Sequence, residues 1–381
     1  MCAILSLFLA FNAYAATPWV HVNAVYDYED KGDYAGAIPS LENVMQNASY
    51  FTDPNVTMAA EAKLKHYGNE IEIYAETEKP QSYTGALHEQ EIGVKMATCS
   101  VKGYPFDSCI LTYMLDESLF AKARNDGKDI LFAFNVQNEG NGIRTQNFSK
   151  DAYKLVDICN KYSDLKVFVR FGAEMNIWSI MCTPEEYIKA YREVASIIKS
   201  NCSNAAMVWG INYVSHAGVD YMDYYPGDEY VDWVGSCFYA DMYQGGTTYS
   251  GKSAFLNRIC DTMYFKGLAA DPVIVFRELS ENFGGRKPIM ITECGASTSV
   301  NYGNMAGENT TEFAASALRK IYEYVAMCCP QVKLIASFNT NMPGELGSYK
   351  IEGVPALETI YKQVAEKKHI INPAIERAPI A

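Results

Sequence analysis

KVFVRFGAEMNIW, residues 166–178, decides the reading of this chain. From Val167 to Phe171 the run is apolar on consecutive positions, broken only by Arg170, and Gly172 then turns it towards Glu174. Continuous rather than alternating hydrophobicity marks a strand covered on both faces, as in a parallel sheet. A second stretch, KPIMITECGAS at 287–297, has the same build and carries Glu293 at its far end. A carboxylate just beyond a buried parallel strand lies where a (β/α)8 barrel gathers its reactive groups.

Working outward, strand-length apolar runs recur at Tyr83–Glu89, Cys109–Leu115, Asp129–Gln137, Lys166–Asn176, Ala205–Asn212, Val231–Tyr239, Lys287–Ser297 and Val332–Asn341. Helical periodicity separates them. Thr183-Pro184-Glu185-Glu186 reads as a cap, a first-turn proline and two acids suited to the helix dipole. Tyr187, Tyr191, Val194 and Ile198 then repeat at helical spacing. Thr310-Thr311-Glu312 opens another helix, with Phe313, Leu318, Ile321 and Val325 as its stripe and Pro330 beyond it. Eight such strands with intervening helices predict an α/β fold, a (β/α)8 TIM barrel, although an open doubly wound sheet gives similar local signals. Residues 81–370 make up the barrel domain and 371–381 a tail. Residues 17–80 form a small N-terminal α/β extension: a strand at Val20–Tyr26, helices near Ile38–Gln46 and Met58–His66, and a strand at Glu70–Ala75.

Bulk properties narrow the partners. The net charge of −13 argues against nucleic acid and anionic membrane, both of which need a basic face. The 28 Tyr, 17 Phe and 4 Trp suit sugar rings and strands alike. The apolar run CAILSLFLAF and the Ala13-Tyr14-Ala15 triplet read as a signal peptide over residues 1–16, so the protein is expected to be secreted, although a basic n-region is missing. That run is too short to span a membrane, and no later one is long enough. Eleven cysteines show no CxxC spacing. Cys99 and Cys109 could close a loop, whereas Cys237 and Cys294 fall inside strands, where a buried thiol is expected.

Paired carboxylates on different strands are the equipment for cleaving glycosidic bonds: one protonates the leaving oxygen, the other acts on the anomeric carbon. Neighbouring sequence sharpens the point. RFGAEMN (Arg170–Asn176) resembles the acid/base segment of glycoside hydrolase family 26, a clan-A family of retaining barrels. AAMVWGIN (Ala205–Asn212), YYPGDEYVDWVG (Tyr224–Gly235) and KPIMITECGA (Lys287–Ala296) resemble its fifth-strand, sixth-strand and nucleophile segments, in the right order.

The resemblance implies that Glu174 is the acid/base, Glu293 the nucleophile, Tyr239 a tyrosine bonded to the nucleophile, and Arg170 a cation beside both. It implies a retaining hydrolase of β-linked polysaccharide or oligosaccharide, β-mannan foremost, working without a cofactor. Trp178 and Trp209 are candidate sugar platforms, with barrel packing as the alternative for Trp209. Asn176 either binds a sugar hydroxyl or caps its own loop. His88 lines the barrel mouth or makes a structural hydrogen bond. Two departures stand out: Ala173 replaces the family's histidine before the acid/base, and near the end of strand eight, where a tryptophan usually floors the sugar site, the run Ala336-Ser337-Phe338-Asn339 leaves either Phe338 in its place or no floor. They motivate the rival reading of a barrel that binds glycans without cutting them; transglycosylation would use the same residues as hydrolysis. The histidines His21, His66, His88, His216 and His369 form no HxH or HExxH pair, so no metal site is expected. GGTTYSGKS (Gly245–Ser253) lacks phosphate-loop spacing.

Overall fold

The computed structural model describes residues 17–64 with short breaks, His88, and 93–373 with breaks of which 242–265 is the longest. Eight parallel strands close into a barrel: β1 (Lys95–Thr98), β2 (Cys109–Thr112), β3 (Asp129–Phe134), β4 (Val167–Phe171), β5 (Ala205–Ile211), β6 (Trp233–Ala240), β7 (Ile289–Ala296) and β8 (Val332–Ser337). β8 pairs with β1, so the barrel sheet has no open edge. Helices between them include α3 (Glu117–Asp126), α4 (Gly140–Thr145), α5 (Phe148–Lys161), α6 (Pro184–Asn201), α7 (Pro272–Phe283), α8 (Thr311–Arg319) and α9 (Pro355–Ala365). The fold is thus a (β/α)8 barrel.

Two expectations are corrected. The first barrel strand is Lys95–Thr98; the predicted Tyr83–Glu89 lies outside the described residues apart from His88. The predicted strand Val20–Tyr26 belongs instead to a helix, α1 (Trp19–Asp30), which packs against α2 (Tyr34–Gln46) and α8. Val22 and Val25, three residues apart, are both buried, the period of a helix face. Residues 1–16 and the predicted strand Glu70–Ala75 lie outside the described residues.

Side-chain parity divides the core. Ala97, Leu111, Leu131, Phe168, Val208, Trp233, Met290 and Leu334 fill the barrel, while alternate residues face the helices. At the start of α6 the cap forms as read: Thr183 and Glu186 exchange side-chain and backbone hydrogen bonds of 3.3 and 2.9 Å. Such a box is worth about 1 kcal/mol. Cys99 and Cys109 are unpaired, and Cys237 and Cys294 are buried free thiols.

Asp107 is the costly group in the outer layer. It is 1% exposed and accepts from Thr98, from Tyr361 Oη at 3.0 Å and from Tyr104 N at 3.1 Å. Burial outweighs these bonds and pushes its carboxyl up to about 6. The folded state therefore holds a proton that the unfolded chain releases near pH 4, so this group's contribution is lost as pH rises from about 4 through about 6. Urea unfolding should show Asp107→Asn losing about 3 kcal/mol less than wild type over that window. Parallel pH curves for the two proteins would refute the assignment.

Candidate active site

The sequence places Glu174 and Glu293 at the same end of the barrel by two different backbone devices. After β4, Gly172 and Glu174 both take left-handed conformations, φ 56° and 61°. For a non-glycine residue this costs on the order of 1 kcal/mol and persists only where the surroundings hold it. Here the Glu174 N–H donates to Gly210 O on β5 at 2.9 Å. In β7 the device is a bulge. Ser236 pairs with Ile291 but Cys237 pairs with Glu293, so Thr292 is an extra residue in the register. Strict alternation from the inward Met290 would turn residue 293 outward. The bulge re-aims it into the barrel mouth.

Arg170 joins the two carboxylates. It is 1% exposed and forms an ion pair with Glu293 through Nη1, while Nη2 lies 3.8 Å from Glu174 Oε1. Gly210 makes room for it: a Cβ there would stand 3.0 Å from Arg170 Nε. Burial alone would weaken the guanidinium's hold on its proton, but Glu293 and Glu174 more than offset this and raise it. Tyr239 Oη donates to Glu293 Oε2 at 2.7 Å, so the two oxygens of Glu293 have separate fixed partners.

Glu174 has the opposite surroundings. Burial and then the Glu293 charge raise its pKa, against Arg170 and the side chains of Cys237 and Asn212, which favour the ionised form. Two carboxyl groups in one site are thus held differently, one by a cation and a phenol, the other proton-retaining. That asymmetry is what separates an acid from a nucleophile.

An aromatic wall stands beside them. Phe338 packs edge-on against Tyr239 at 5.9 Å and Tyr113 at 6.2 Å, and Tyr239 lies 4.8 Å from Tyr349. Tyr349 Oη donates to Asp241, 3.0 Å from each carboxylate oxygen. Tyr113 Oη faces Glu293 without an aligned hydrogen bond, and burial and that charge together raise its pKa well above the usual phenol value.

Three sequence candidates lie elsewhere. His88 is at the opposite end of the barrel: its Nε2 is 2.8 Å from Asn204 O, just before β5, and its ring packs on Phe168 near the start of β4. It makes the structural hydrogen bond, not the mouth. Trp209 faces outward from β5, fully buried against Tyr221, Tyr225 and Phe283, and is no sugar platform. Asn176 is fully buried and ties the loops after β4 and β5 together instead of facing a ligand. Trp178 and the Gly245–Ser253 loop are outside the described residues. Tyr113 and Cys237 were missed, although each sits two residues from an inward or site-facing neighbour, Leu111 and Tyr239, and so shares its strand face. Among the described residues no group of three His, Cys, Asp or Glu side chains could hold a metal, and no helix is long and apolar enough to cross a membrane.

No family model matches the chain. It is 32% identical over 129 residues to endoglucanase H of Acetivibrio thermocellus, a stretch covering 32% of this chain and 14% of that enzyme. The chain thus spans a small part of the curated relative that it matches. Among solved structures it is similar to GH26C from Muricauda sp., with TM-score 0.47, 12% identity, and coverage of 82% of this chain and 92% of that one. A GH26 beta-mannanase from Bacteroides ovatus gives TM-score 0.46, 12% identity, and coverage of 80% and 94%.

Proposed function

We propose that this chain is a retaining glycoside hydrolase of the family 26 type, exported from the cell and acting on a β-linked polysaccharide or oligosaccharide, with β-mannan first among substrates. The observation that carries the reading is one buried guanidinium between two carboxyl groups, Glu293 in direct ion pair with it and Glu174 3.8 Å away and pushed up in pKa by burial and the Glu293 charge. Glu293, held by Arg170 and Tyr239, attacks the anomeric carbon. Glu174 protonates the departing oxygen and then takes a proton from the water that hydrolyses the glycosyl-enzyme. Phe338 supplies an aromatic edge where a sugar ring would rest.

Product release from β-mannan, glucomannan, xylan and mixed-linkage glucan tests this, with Glu293→Ala run in parallel. Cleavage of one polymer, abolished by the substitution, is the expected result. Binding without cleavage, unchanged in the variant, would make the protein a glycan-binding barrel. The rate has a sign to check as well. An acid catalyst must be protonated, and Glu174 keeps its proton to higher pH than an ordinary glutamic acid. The alkaline limb of kcat/KM should therefore lie above the usual carboxyl range and disappear in Glu174→Gln.

A further inference from the structure

We propose that Asn176 and Asn212 are positioning residues for Glu174, an inference that rests on the acid/base reading of that residue. Asn176 is fully buried, so it touches no ligand. Its Oδ1 accepts the backbone N–H of Asn212 at 2.8 Å. Its Nδ2 donates to the backbone carbonyl of Asn212 at 2.8 Å and to Ser215 Oγ at 3.0 Å. One amide that reads both backbone groups of one residue fixes where that residue sits. Asn212 in turn places its own side chain against the Glu174 carboxyl. Two residues earlier, Gly210 O receives the Glu174 N–H, so backbone and side chain of Glu174 are both registered on the end of β5.

The clamp answers the question raised by the left-handed Glu174. A non-glycine residue at φ 61° relaxes unless its neighbours prevent it, and relaxation would swing the carboxyl off the leaving oxygen. Asn176 therefore acts through Asn212, and Asn212 acts on the carboxyl itself. The charged and titratable groups facing Glu174 among the described residues are Arg170 on β4, Glu293 on β7, and Cys237 and Tyr239 on β6. None of them is altered by substituting either asparagine. Removal of the Asn212 amide takes away a partner of the ionised carboxylate, so Glu174 would hold its proton to still higher pH.

The test uses the full chain and aryl β-glycosides of the sugar that it cleaves, one with a phenol and one with a dinitrophenol leaving group. A poor leaving group needs protonation and a good one does not, so damage confined to the acid shows only with the first. For Asn212→Ala and Asn176→Ala, kcat/KM on the phenyl glycoside should fall about 10–100-fold, and on the dinitrophenyl glycoside by no more than about threefold. The alkaline limb should move to higher pH. Glu174→Ala, run alongside, should show the same leaving-group dependence in stronger form and give glycosyl azide when azide is added. Asn212→Ala keeps the backbone groups that Asn176 grips, so it remains informative if Asn176→Ala fails to fold. Equal losses on both glycosides, or an unmoved alkaline limb, would overturn the positioning role. Absence of leaving-group dependence in Glu174→Ala would overturn the acid/base reading itself, and this inference with it.

Discussion

Glu293→Gln is expected to lower turnover by about 10⁴-fold or more, the scale of losing a nucleophile whose intermediate splits one difficult step into two. The amide is close in size and keeps both existing contacts. Its oxygen can stay on Arg170, and its nitrogen can donate to Tyr239 Oη, which rotates from donor to acceptor. The barrel should therefore remain folded, and the loss can be read as chemistry. Glu174 should report the change independently. The Glu293 charge helps to raise its pKa, while Arg170 opposes it. With the charge gone and Arg170 left in place, Glu174 should ionise at lower pH, and the residual activity should fall off earlier on the alkaline side. A fluorinated glycoside that traps the intermediate gives a direct readout by peptide mass spectrometry. The label should sit on the peptide bearing Glu293 in wild type and be absent from the variant. A label on another carboxylate would sink the assignment.

What the sequence could announce was whatever sits at the end of a long apolar strand. Val167–Phe171 and Ile289–Ala296 are fully buried, and their hydrophobic runs located Glu174 and Glu293. β1 was illegible for the converse reason. It is four residues long and includes Lys95 and Thr98, whose partners, Asp129 and Asp107, come from outside the strand. No local pattern shows that a lysine is buried when the acid that neutralises it lies 34 residues away. α1 misled through composition: WVHVNAVYDYED is rich in β-branched and aromatic residues, and packing against α2 and α8 overrode that preference. Trp209 was ambiguous because side-chain direction in β5 depends on register with β4 and β6. Its neighbour Val208 pairs with the inward-facing Arg170, which turns Trp209 away from the lumen. The clamp at Asn176 was hidden because both of its backbone partners belong to residue 212, on a different strand's loop.

Arg170→Met should be the most damaging substitution that leaves both carboxylates in place. Removing one member of a buried ion pair leaves the other charge without compensation, typically at a cost of about 3–5 kcal/mol. Arg170 has two dependants, Glu293 in direct contact and Glu174 at 3.8 Å, and without the guanidinium Glu293 keeps the Tyr239 hydrogen bond and the facing Tyr113 phenol but loses this cation. The variant should therefore lose stability that is partly regained on acidification, since two carboxylates facing each other without a cation between them bind a proton more tightly. Arg170→Lys should recover some stability and little activity. An ammonium restores charge, but it cannot address Glu293 and Glu174 at once with the fork of a planar guanidinium. The decisive comparison is a double-mutant cycle. If Arg170 is there to balance charge, Arg170→Met should cost far less in a Glu293→Gln background than in wild type, by about 2 kcal/mol or more in denaturant unfolding. If the two costs simply add, Arg170 is holding the barrel by packing alone. In that case Arg170 does not set the charge balance of the site.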